Sequence, residues 1–459
     1  MRLYRGSSRH IPTSSSPQLA RHGMRLLCAL ILGIAVMAAD PLAARAEAGQ
    51  PALVGSIVDT DTQYGQSRLS EVEGLSVTEK TLSAWKNDRA TSEIALAAKG
   101  AAYEDVTASA SDLTGPAGTI SRDNATVRFI SSTKAYNGPY LGYGSTTRAV
   151  PADNGSNRSE SVDIINGGGP TSLEANEVRP IWVSFKIPKD AAAGAYTATI
   201  TVTASGMEAP LTFTYTINVA DVTLPDASEF KDTFDIELWQ YPYSSAEYYG
   251  VTPFSEEHKE ILRSGLEIYR EMGGHAITAT ISEDAWDGQT YSANAVHYPS
   301  MVKWTKQADG SFSYDFTDFD EWVTLCRSMG LGDKIVLYSI APWHNSFTYW
   351  ENGTLKREQF TPGSERYIEV WTDFLNHMID HLMDKGWFDD SYVGIDERGF
   401  SAAAFDLIDS VKNIHGQSLK TAGAMDHFIN KHDLAMRVTD LNVGDTAAAA
   451  SPAAFTKLV

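Results

Sequence analysis

Strand-length apolar runs alternate with helix-length amphipathic stretches from residue 231 onwards, and this alternation limits the possible folds more than any other feature. Strands are predicted at residues 234–239, 276–281, 334–340, 392–395, 419–422 and 434–438. Helices are predicted at residues 255–272, 320–329, 364–385 and 402–414. Repeated β-α units fold into a parallel sheet, because each helix returns the chain to the same end of the sheet. Such a succession of units predicts a (β/α)8 TIM-type barrel. A doubly wound open sheet is the alternative, but no glycine-rich phosphate loop favours it.

The predicted barrel is incomplete on its C-terminal side. A complete barrel of eight units takes about 250 residues, which is more than residues 231–459 provide. Residues 446–459 are rich in alanine and show neither the strand period nor the helix period, so we expect an irregular tail there. We therefore predict a truncated barrel domain at residues 231–445, with about six β-α units present and strands seven and eight missing.

A different pattern precedes the barrel segment, at residues 47–224. Apolar and polar residues alternate with a period of two at residues 195–202 and 211–219, and a short glycine-containing turn lies between them. This spacing predicts a β-hairpin. Residues 179–188 form a further predicted strand with proline near both ends. We expect an N-terminal β-sandwich domain at residues 47–224, followed by a linker at residues 225–230.

The first 46 residues predict export rather than a folded domain. Arg21 and Arg25 precede an apolar run at residues 26–39, and residues 44–46 offer a small-x-small cleavage site. This order is typical of a secretory signal peptide at residues 1–46, whose apolar run is too short to span a membrane. We expect a secreted or cell-surface protein with no membrane span. The net charge of −21 at pH 7 argues against a nucleic-acid partner.

Polar and aromatic side chains cluster after the first four predicted strands of the barrel. In a barrel the functional site lies at the C-terminal ends of the strands, so these side chains are expected to converge there. Aromatic faces stack on sugar rings and polar groups bind hydroxyls, so this mixture favours a carbohydrate site. The candidate substrate-binding residues are Trp239, Tyr241, Asp284, Trp286, Tyr338, Trp343, His344, Asn345 and Arg398. Neither a metal nor another cofactor is predicted, because the sequence has no metal-ligand or cofactor-binding motif.

Asp396 and Glu397 are adjacent acids at the end of an apolar strand, and they are the candidate catalytic pair. Other adjacent acids have structural explanations, since residues 320–321 start a predicted helix and residues 389–390 fall in a predicted loop. A pair at the end of a buried strand costs desolvation free energy unless it is partnered or functional. Two carboxylates on one strand end approach a substrate from one side, so this pair provides no nucleophile directly opposite the acid.

A sugar with a 2-acetamido group would supply the missing nucleophile, because its carbonyl oxygen can attack the anomeric carbon and form an oxazolinium ion. Asp396 would then hold the amide N–H and stabilise the developing positive charge. Glu397 would protonate the leaving oxygen and afterwards activate water. The negative charge of Asp396 is expected to raise the pKa of Glu397, as a general acid requires.

Several segments, in the same order along the chain, resemble glycoside hydrolase family 123. Together they are much more specific than the adjacent acids alone. The resemblance extends from residue 235 to about residue 442, and is carried by residues 238–242, 248–251, 255–258, 277–281, 338–343, 385–388 and 395–398. Residues 179–182 and 193–196 resemble the N-terminal β-sandwich of that family.

The resemblance implies a retaining β-N-acetylgalactosaminidase that acts exo on glycan ends, such as those of glycosphingolipids. It also implies substrate-assisted catalysis by an adjacent Asp and Glu, which match Asp396 and Glu397. The family has a complete barrel and a C-terminal β-sandwich, whereas this sequence stops after the sixth predicted strand. The implied partner is a glycan that carries a terminal N-acetylhexosamine. Two alternatives stay open: a glycosidase of the same fold for a sugar without an acetamido group, and an inactive truncated glycan-binding protein.

Overall fold

The structure is a computed structural model of the chain. It describes residues 52–136, 158–167, 169–286, 300–396, 401–425 and 432–443. The predicted signal peptide at residues 1–46 and the predicted tail at residues 446–459 lie outside these ranges. Within the ranges, no helix is both long enough and apolar enough to cross a membrane.

The N-terminal part of the described chain consists of strands, one short α-helix and two 3-10 turns. Its elements are β1 (Ala52–Val58), α1 (Leu69–Gly74), β2 (Glu79–Lys86), β3 (Arg89–Lys99), β4 (Tyr103–Ala110), β5 (Leu113–Gly115), β6 (Gly118–Ile120), β7 (Ala125–Tyr136), β8 (Arg158–Ile165), β9 (Thr171–Leu173), β10 (Val178–Lys186), β11 (Gly194–Thr203) and β12 (Leu211–Thr223). One sheet has the order β1-β3-β10-β7-β8. The other has the order β2-β12-β11-β4-β9, with β5 paired to β11 and β6 paired to β5.

These two sheets pack face to face around one hydrophobic core. Alternate residues of β12, such as Phe213 and Tyr215, point into that core and are buried. The ring of Tyr215 lies 5.5 Å from the ring of Phe185 on β10 of the opposite sheet. β11 and β12 pair antiparallel along most of their length, which confirms the predicted hairpin. The packing is that of a β-sandwich, as the period of two predicts.

The C-terminal part contains strands and helices in alternation. Its elements are α2 (Tyr243–Tyr249), α3 (Glu256–Glu271), β13 (Ala276–Thr280), β14 (Lys303–Lys306), β15 (Phe312–Asp315), α4 (Thr317–Ser328), β16 (Lys334–Tyr338), β17 (Ser346–Glu351), β18 (Thr354–Gln359), α5 (Glu365–Lys385), β19 (Ser391–Ile395), α6 (Ala402–Ser410), β20 (Lys420–Met425), α7 (His432–Ala435) and β21 (Asp440–Val443).

Five of these strands form a parallel sheet in the order β13-β16-β19-β20-β21. Every residue of β13 and β16 is buried, which is typical of strands in a covered parallel sheet. Helices α4 and α5 contribute Trp322, Trp371 and Phe374 to the core beside the sheet. Each strand pairs with the next parallel strand along the chain, as in a barrel. The described strands do not close, however, so the predicted (β/α)8 barrel is not established by them.

Residues 234–239, predicted as the first barrel strand, form no strand. Hydrogen bonds that involve side chains connect this part of the chain to its neighbours, where a strand would form backbone-to-backbone hydrogen bonds. Tyr269 on α3 donates its hydroxyl hydrogen to the Ile236 carbonyl at 3.0 Å. Gln240 accepts a hydrogen bond from the Thr278 N–H of β13 at 2.7 Å. The apolar composition of the segment therefore predicted a strand where tertiary contacts with side chains replace strand pairing.

Residues 434–438, predicted as the sixth strand, contain the end of α7, and β21 begins only at Asp440. The side chains of Thr421 and Thr439 accept hydrogen bonds from each other's backbone N–H groups, at 3.1 and 3.3 Å. These bonds align the chain after residue 438 with β20 and determine where pairing starts. The predicted strand exists, but it lies further along the chain.

A second sheet of the C-terminal part, with the order β15-β14-β17-β18, was not predicted. Its strands have only four to six residues, too few for the period of two to stand out. Trp304 on β14 anchors it to the core, since its ring lies 5.2 Å from that of Phe347 and 4.5 Å from that of Phe374 on α5. The four strands lie in the connections that follow β13 and β16. This sheet therefore lies at the C-terminal end of the parallel strands.

Helices α3 and α5 begin where the sequence predicts. Ser255 accepts a hydrogen bond from the His258 N–H at 3.3 Å, and Ser364 accepts one from the Tyr367 N–H at 3.2 Å. Each serine satisfies an N–H group that has no partner within its helix. Helix α5 ends before Gly386, whose φ of 69° lies in the left-handed region that favours glycine. Because these end signals are local, the sequence was sufficient to place both helices.

Candidate active site

The C-terminal ends of β13, β16 and β19 bring most of the candidate residues together. β16 lies between β13 and β19, and all three strands run parallel. The segments that follow them therefore leave from the same edge of the sheet: residues 281–286 after β13, residues 339–345 after β16, and Asp396 after β19. Trp239 and Tyr241 reach the same place from the segment before α2.

Asp396 follows β19 directly, and only 2% of its surface is exposed. The indole of Trp343 donates a hydrogen bond to it, with 2.5 Å between Nε1 and Oδ2. A hydrogen bond to a carboxylate is stronger than one between neutral groups, so this contact helps to offset the burial of the acid. The structure thus places a buried, hydrogen-bonded carboxylate where the sequence predicts one.

Gly394 lets the ring of Tyr338 lie against β19. The two residues are partners in the parallel pairing of β16 with β19. A methyl group at position 394 would come within 2.4 Å of the Tyr338 ring. Burial first, and the Asp396 carboxylate second, raise the pKa of Tyr338 well above its usual range. The hydroxyl therefore keeps its proton at neutral pH and can donate a hydrogen bond.

Tyr338 belongs to a cluster of four aromatic rings. The rings of Tyr338 and Trp286 are stacked 4.8 Å apart, and Trp239 lies 5.2 Å from Tyr338. Tyr241 meets Trp286 edge-on at 6.2 Å. Trp286 and Tyr338 are buried, whereas 40% of Trp239 is exposed. The exposed part of Trp239 can therefore stack on a sugar ring while the rings of Tyr338 and Trp286 hold it in place.

Two polar atoms of this aromatic cluster, Trp286 Nε1 and Tyr338 Oη, are buried and make no hydrogen bond of normal geometry among the described residues, although the Tyr338 hydroxyl lies near Trp286 and the Asp396 carboxylate. Buried donors in folded proteins are nearly always paired, because leaving one unpaired costs free energy. Such atoms can bond to a bound ligand or to parts of the chain outside the described ranges. Both atoms lie at the edge of the sheet where the candidate residues converge.

The segment after β13 is held by β17 and β18. Glu283 is fully buried, accepts a hydrogen bond from Ser346 Oγ at 2.8 Å, and forms an ion pair with Arg357 at 3.1 Å. Thr348 donates two hydrogen bonds to the Ser282 carbonyl, from its N–H at 3.1 Å and from its hydroxyl at 2.8 Å. Glu283 therefore anchors the segment, and its neighbour in the sequence remains the candidate for substrate binding.

That neighbour, Asp284, is 5% exposed and accepts a hydrogen bond from the Trp286 N–H at 3.2 Å. This local turn positions the Trp286 ring. His344 and Asn345 lie in the turn between β16 and β17. Asn345 has a φ of 50°, which asparagine tolerates better than most residues, and its carbonyl accepts a hydrogen bond from the Phe360 N–H at 2.8 Å. Substrate contacts by these residues stay predictions.

Glu397 and Arg398 lie outside the described residues, so their positions relative to Asp396 stay predictions. Arg357 and Gly394 are not among the site residues predicted from the sequence. Arg357 lies on β18, which was not recognised as a strand, and the sequence holds no other sign of its role. Glycine within an apolar strand often marks a close approach of neighbouring groups, and this could have identified Gly394.

Sequence comparison identifies the class of protein that this fold and site represent. The family model described as the catalytic domain of glycoside hydrolase 123 matches residues 239–457. The model of the glycoside hydrolase 123 N-terminal domain matches residues 57–204. The protein is a glycoside hydrolase, and its substrate is a glycan.

The family follows from these matches and from a solved structure. A family 123 glycoside hydrolase from Clostridium perfringens, whose structure was analysed for the details of glycolipid glycan hydrolysis, is 32% identical to this chain. The alignment covers 86% of this chain and 68% of that chain, with a TM-score of 0.75. The chain belongs to glycoside hydrolase family 123.

Other solved structures are similar only to part of the chain. The CooA pilin subunit from enterotoxigenic Escherichia coli is 11% identical over 37% of this chain and 99% of that one, with a TM-score of 0.21. AvmM, which catalyses macrocyclization in alchivemycin A biosynthesis, is 8% identical over 38% of this chain and 94% of that one, also with a TM-score of 0.21. Scores this low support no inference. A search of curated proteins found no match.

Proposed function

We propose that this glycoside hydrolase removes terminal β-linked N-acetylgalactosamine from glycans, with retention of configuration and with the acetamido group of the substrate as nucleophile. The observation that carries the proposal is the buried Asp396 carboxylate at a parallel strand end, followed in the sequence by a second acid, Glu397. The likeness to an enzyme analysed for glycolipid glycan hydrolysis supports the glycan of a glycolipid as substrate.

In the proposed reaction Asp396 accepts a hydrogen bond from the amide N–H of the bound sugar. The acetamido carbonyl oxygen attacks the anomeric carbon while the bond to the leaving oxygen breaks, and Glu397 gives its proton to that oxygen. The negative charge of Asp396 stabilises the positive charge of the resulting oxazolinium ion. Glu397 then takes a proton from water, which attacks the anomeric carbon and reopens the ring. Two inversions leave the original β configuration.

Two further features of the proposal concern the molecule as a whole. The five parallel strands are proposed to belong to a (β/α)8 barrel, which is supported by their sequential order and by the candidate residues at one sheet edge. Export is proposed from residues 1–46, whose basic residues, apolar run and small residues are typical of a signal peptide. N-terminal sequencing of the secreted protein tests export, and a mature chain that begins near residue 47 is expected.

The proposed reaction is tested with aryl glycosides that differ only at the sugar. We expect kcat/KM for 4-nitrophenyl β-N-acetylgalactosaminide to exceed that for 4-nitrophenyl β-galactoside by about 100-fold or more, because only the first carries the internal nucleophile. The matching N-acetylglucosaminide measures the preference between galacto and gluco sugars. NMR should show the β anomer as the first product. Faster hydrolysis of the plain galactoside would instead favour a glycosidase for sugars without an acetamido group.

Substrates with different leaving groups distinguish the roles of the two acids. Glu397→Gln should lower the rate on a phenyl glycoside by about 100- to 10,000-fold, because phenol needs protonation as it leaves. The same variant should lose far less on a 2,4-dinitrophenyl glycoside, which leaves unprotonated. Asp396→Asn should lower both rates by similar factors, since its role lies in attack by the acetamido group. The reverse pattern would show that the two assignments must be exchanged.

A further inference from the structure

We propose that Trp343 is a positioning residue that sets the orientation of the Asp396 carboxylate. This inference rests on the proposed substrate-assisted reaction. Trp343 lies in the segment after β16, and its indole N–H donates to Asp396 Oδ2 at 2.5 Å. The side chain thus connects the ends of two neighbouring parallel strands at the edge where the candidate residues converge.

An indole is suited to this task because its single donor lies in a rigid ring plane. The terminal torsion of aspartate has a broad energy profile, so a carboxylate turns readily unless a fixed donor selects one orientation. A carboxylate offers about four acceptor positions, so Asp396 can bond to Trp343 and to a substrate amide at the same time. The bond from Trp343 therefore orients the acid without excluding the substrate.

Trp343 is itself held in place by backbone contacts. Its own N–H donates to the Ala285 carbonyl at 3.2 Å, and Ala285 is fully buried. Ala285 belongs to the segment anchored by Glu283, which is bonded to Ser346 and Arg357. The orientation of Asp396 thus depends on a continuous set of contacts from β18, through the segment after β13, to Trp343.

The orientation matters most in the transition state. Positive charge develops on the acetamido group only while its carbonyl oxygen attacks the anomeric carbon. A carboxylate already aligned with that charge stabilises the transition state more than the bound substrate. Loss of alignment should therefore lower kcat and leave KM nearly unchanged, whereas loss of a substrate contact would raise KM.

The first experiment removes the indole donor. Trp343→Phe should lower kcat on 2,4-dinitrophenyl β-N-acetylgalactosaminide by about 10- to 100-fold, the range expected for a lost hydrogen bond to a charged group. KM should stay within about threefold. Replacement of Trp343 by 3-benzothienylalanine, which keeps the ring shape and lacks only the N–H, should give the same loss even if the phenylalanine variant folds poorly. Trp85→Phe, in the β-sandwich, is the matched control and should change neither constant.

A double-mutant cycle with Asp396→Ala separates positioning from general packing. If Trp343 acts through Asp396, removal of the indole donor should cost no further activity once the carboxylate is gone. The same 10- to 100-fold loss in both backgrounds would overturn the proposal, as would an unchanged kcat for the benzothienylalanine protein. Failure of the proposed function looks different, because the wild-type enzyme would then hydrolyse the plain galactoside as fast as the acetamido sugar.

Discussion

Gly394 and Asp396 are two positions apart, so they point to the same face if the alternation of β19 continues past its last residue. The ring of Tyr338 occupies the space that a side chain at position 394 would need. The Tyr338 hydroxyl thus lies near the Asp396 carboxylate, and the negative charge of this carboxylate contributes to the raised pKa of Tyr338. At the scale of single residues, the absence of a side chain at position 394 therefore allows the Tyr338 ring to pack beside the acid.

Gly394→Ala should therefore damage the site. The added methyl group would lie 2.4 Å from Tyr338 Cδ2 and 2.9 Å from Val336 Cγ1, so the tyrosine ring must move. We expect a loss of about 10-fold or more in kcat/KM and a destabilisation of about 1–3 kcal/mol, as for other overpacked cores. Kinetics and urea unfolding measure the two effects. Gly74→Ala is the control, because a methyl group there meets nothing within 4 Å. Full activity of Gly394→Ala would contradict the role given to the tyrosine ring.

The negative charge of Glu93, on β3 of the sandwich, is unfavourable in the folded protein. Burial first, and the negative charge of Asp59 second, raise the pKa of Glu93 from 4.5 to about 7. Between these two values the folded protein holds a proton that the unfolded chain releases. The contribution of Glu93 to stability is therefore most favourable below pH 4.5 and becomes less favourable as the pH rises to about 7.

Glu93→Gln should remove this pH dependence. At pH 8 the variant is expected to be more stable than the wild type by up to about 3 kcal/mol, and at pH 4 the two should be nearly equal. Urea unfolding at both pH values measures the difference. The exposed Glu79, changed to Gln, is the control and should have little effect at either pH. Equal effects of Glu93→Gln at pH 4 and pH 8 would show that this carboxyl titrates normally.

At the scale of elements, the strands β17 and β18 support the site although they carry no candidate catalytic residue. They bond to the segment after β13 through Ser346, Thr348 and Arg357. This segment in turn carries Asp284 and Trp286. Short strands in a connection between two parallel strands thus act as a support for residues at the sheet edge.

Arg357→Met should test that support. The change removes the ion pair between Arg357 and the buried Glu283 carboxylate. Because 40% of the arginine side chain is exposed, we expect a loss of about 1–3 kcal/mol, below the cost of breaking a fully buried pair. The double variant Glu283→Gln/Arg357→Met should recover part of that loss, since it also removes the buried negative charge that Arg357 helps to balance. Thermal unfolding gives the comparison, and a double variant less stable than Arg357→Met would rule out a charge effect.

At the scale of the whole molecule, a network of charges lies at the edge of the parallel sheet opposite the candidate site. Lys334, the first residue of β16, bonds to Glu237 and to Asp440 on β21. His275, just before β13, bonds to Asp235 at 2.7 Å and to Asp333 at 2.6 Å. The network ties the segment that follows the sandwich to the first, second and last described strands of the parallel sheet.

His275 should make the stability of the molecule depend on pH. The hydrogen bond to Asp333 first, and then the one to Asp235, raise the pKa of His275 above 6.5, against the effect of burial. A raised histidine pKa contributes stability that is fully present below pH 6.5 and is lost as the pH rises through the folded value. His275→Gln should therefore destabilise the protein most at pH 5.5, and less at pH 8.5, as measured by urea unfolding. His415→Gln, at an exposed position, is the control, and a larger effect at pH 8.5 would contradict this sign.

Much of the fold could be predicted from the sequence, and part of the site could not. The β11–β12 hairpin and the starts of α3 and α5 depend on alternation and on serine caps, which a short window of residues contains. The strand predicted at residues 234–239 is not formed, and hydrogen bonds of the Tyr269 and Gln240 side chains connect that part of the chain to its neighbours instead. The strands β14, β15, β17 and β18 are too short for an alternation of apolar and polar residues to be recognised in the sequence.

The sequence by itself determined the parallel β-α arrangement, the sandwich before it, and the position of Asp396 at a strand end. Each of these depends on residues close together in the chain. Only the tertiary structure decided that Trp343 bonds to Asp396, that Tyr338 packs over Gly394, and that Arg357 pairs with Glu283. These partners are far apart in the sequence and meet only once the strands have paired, so no local pattern of residues could specify them.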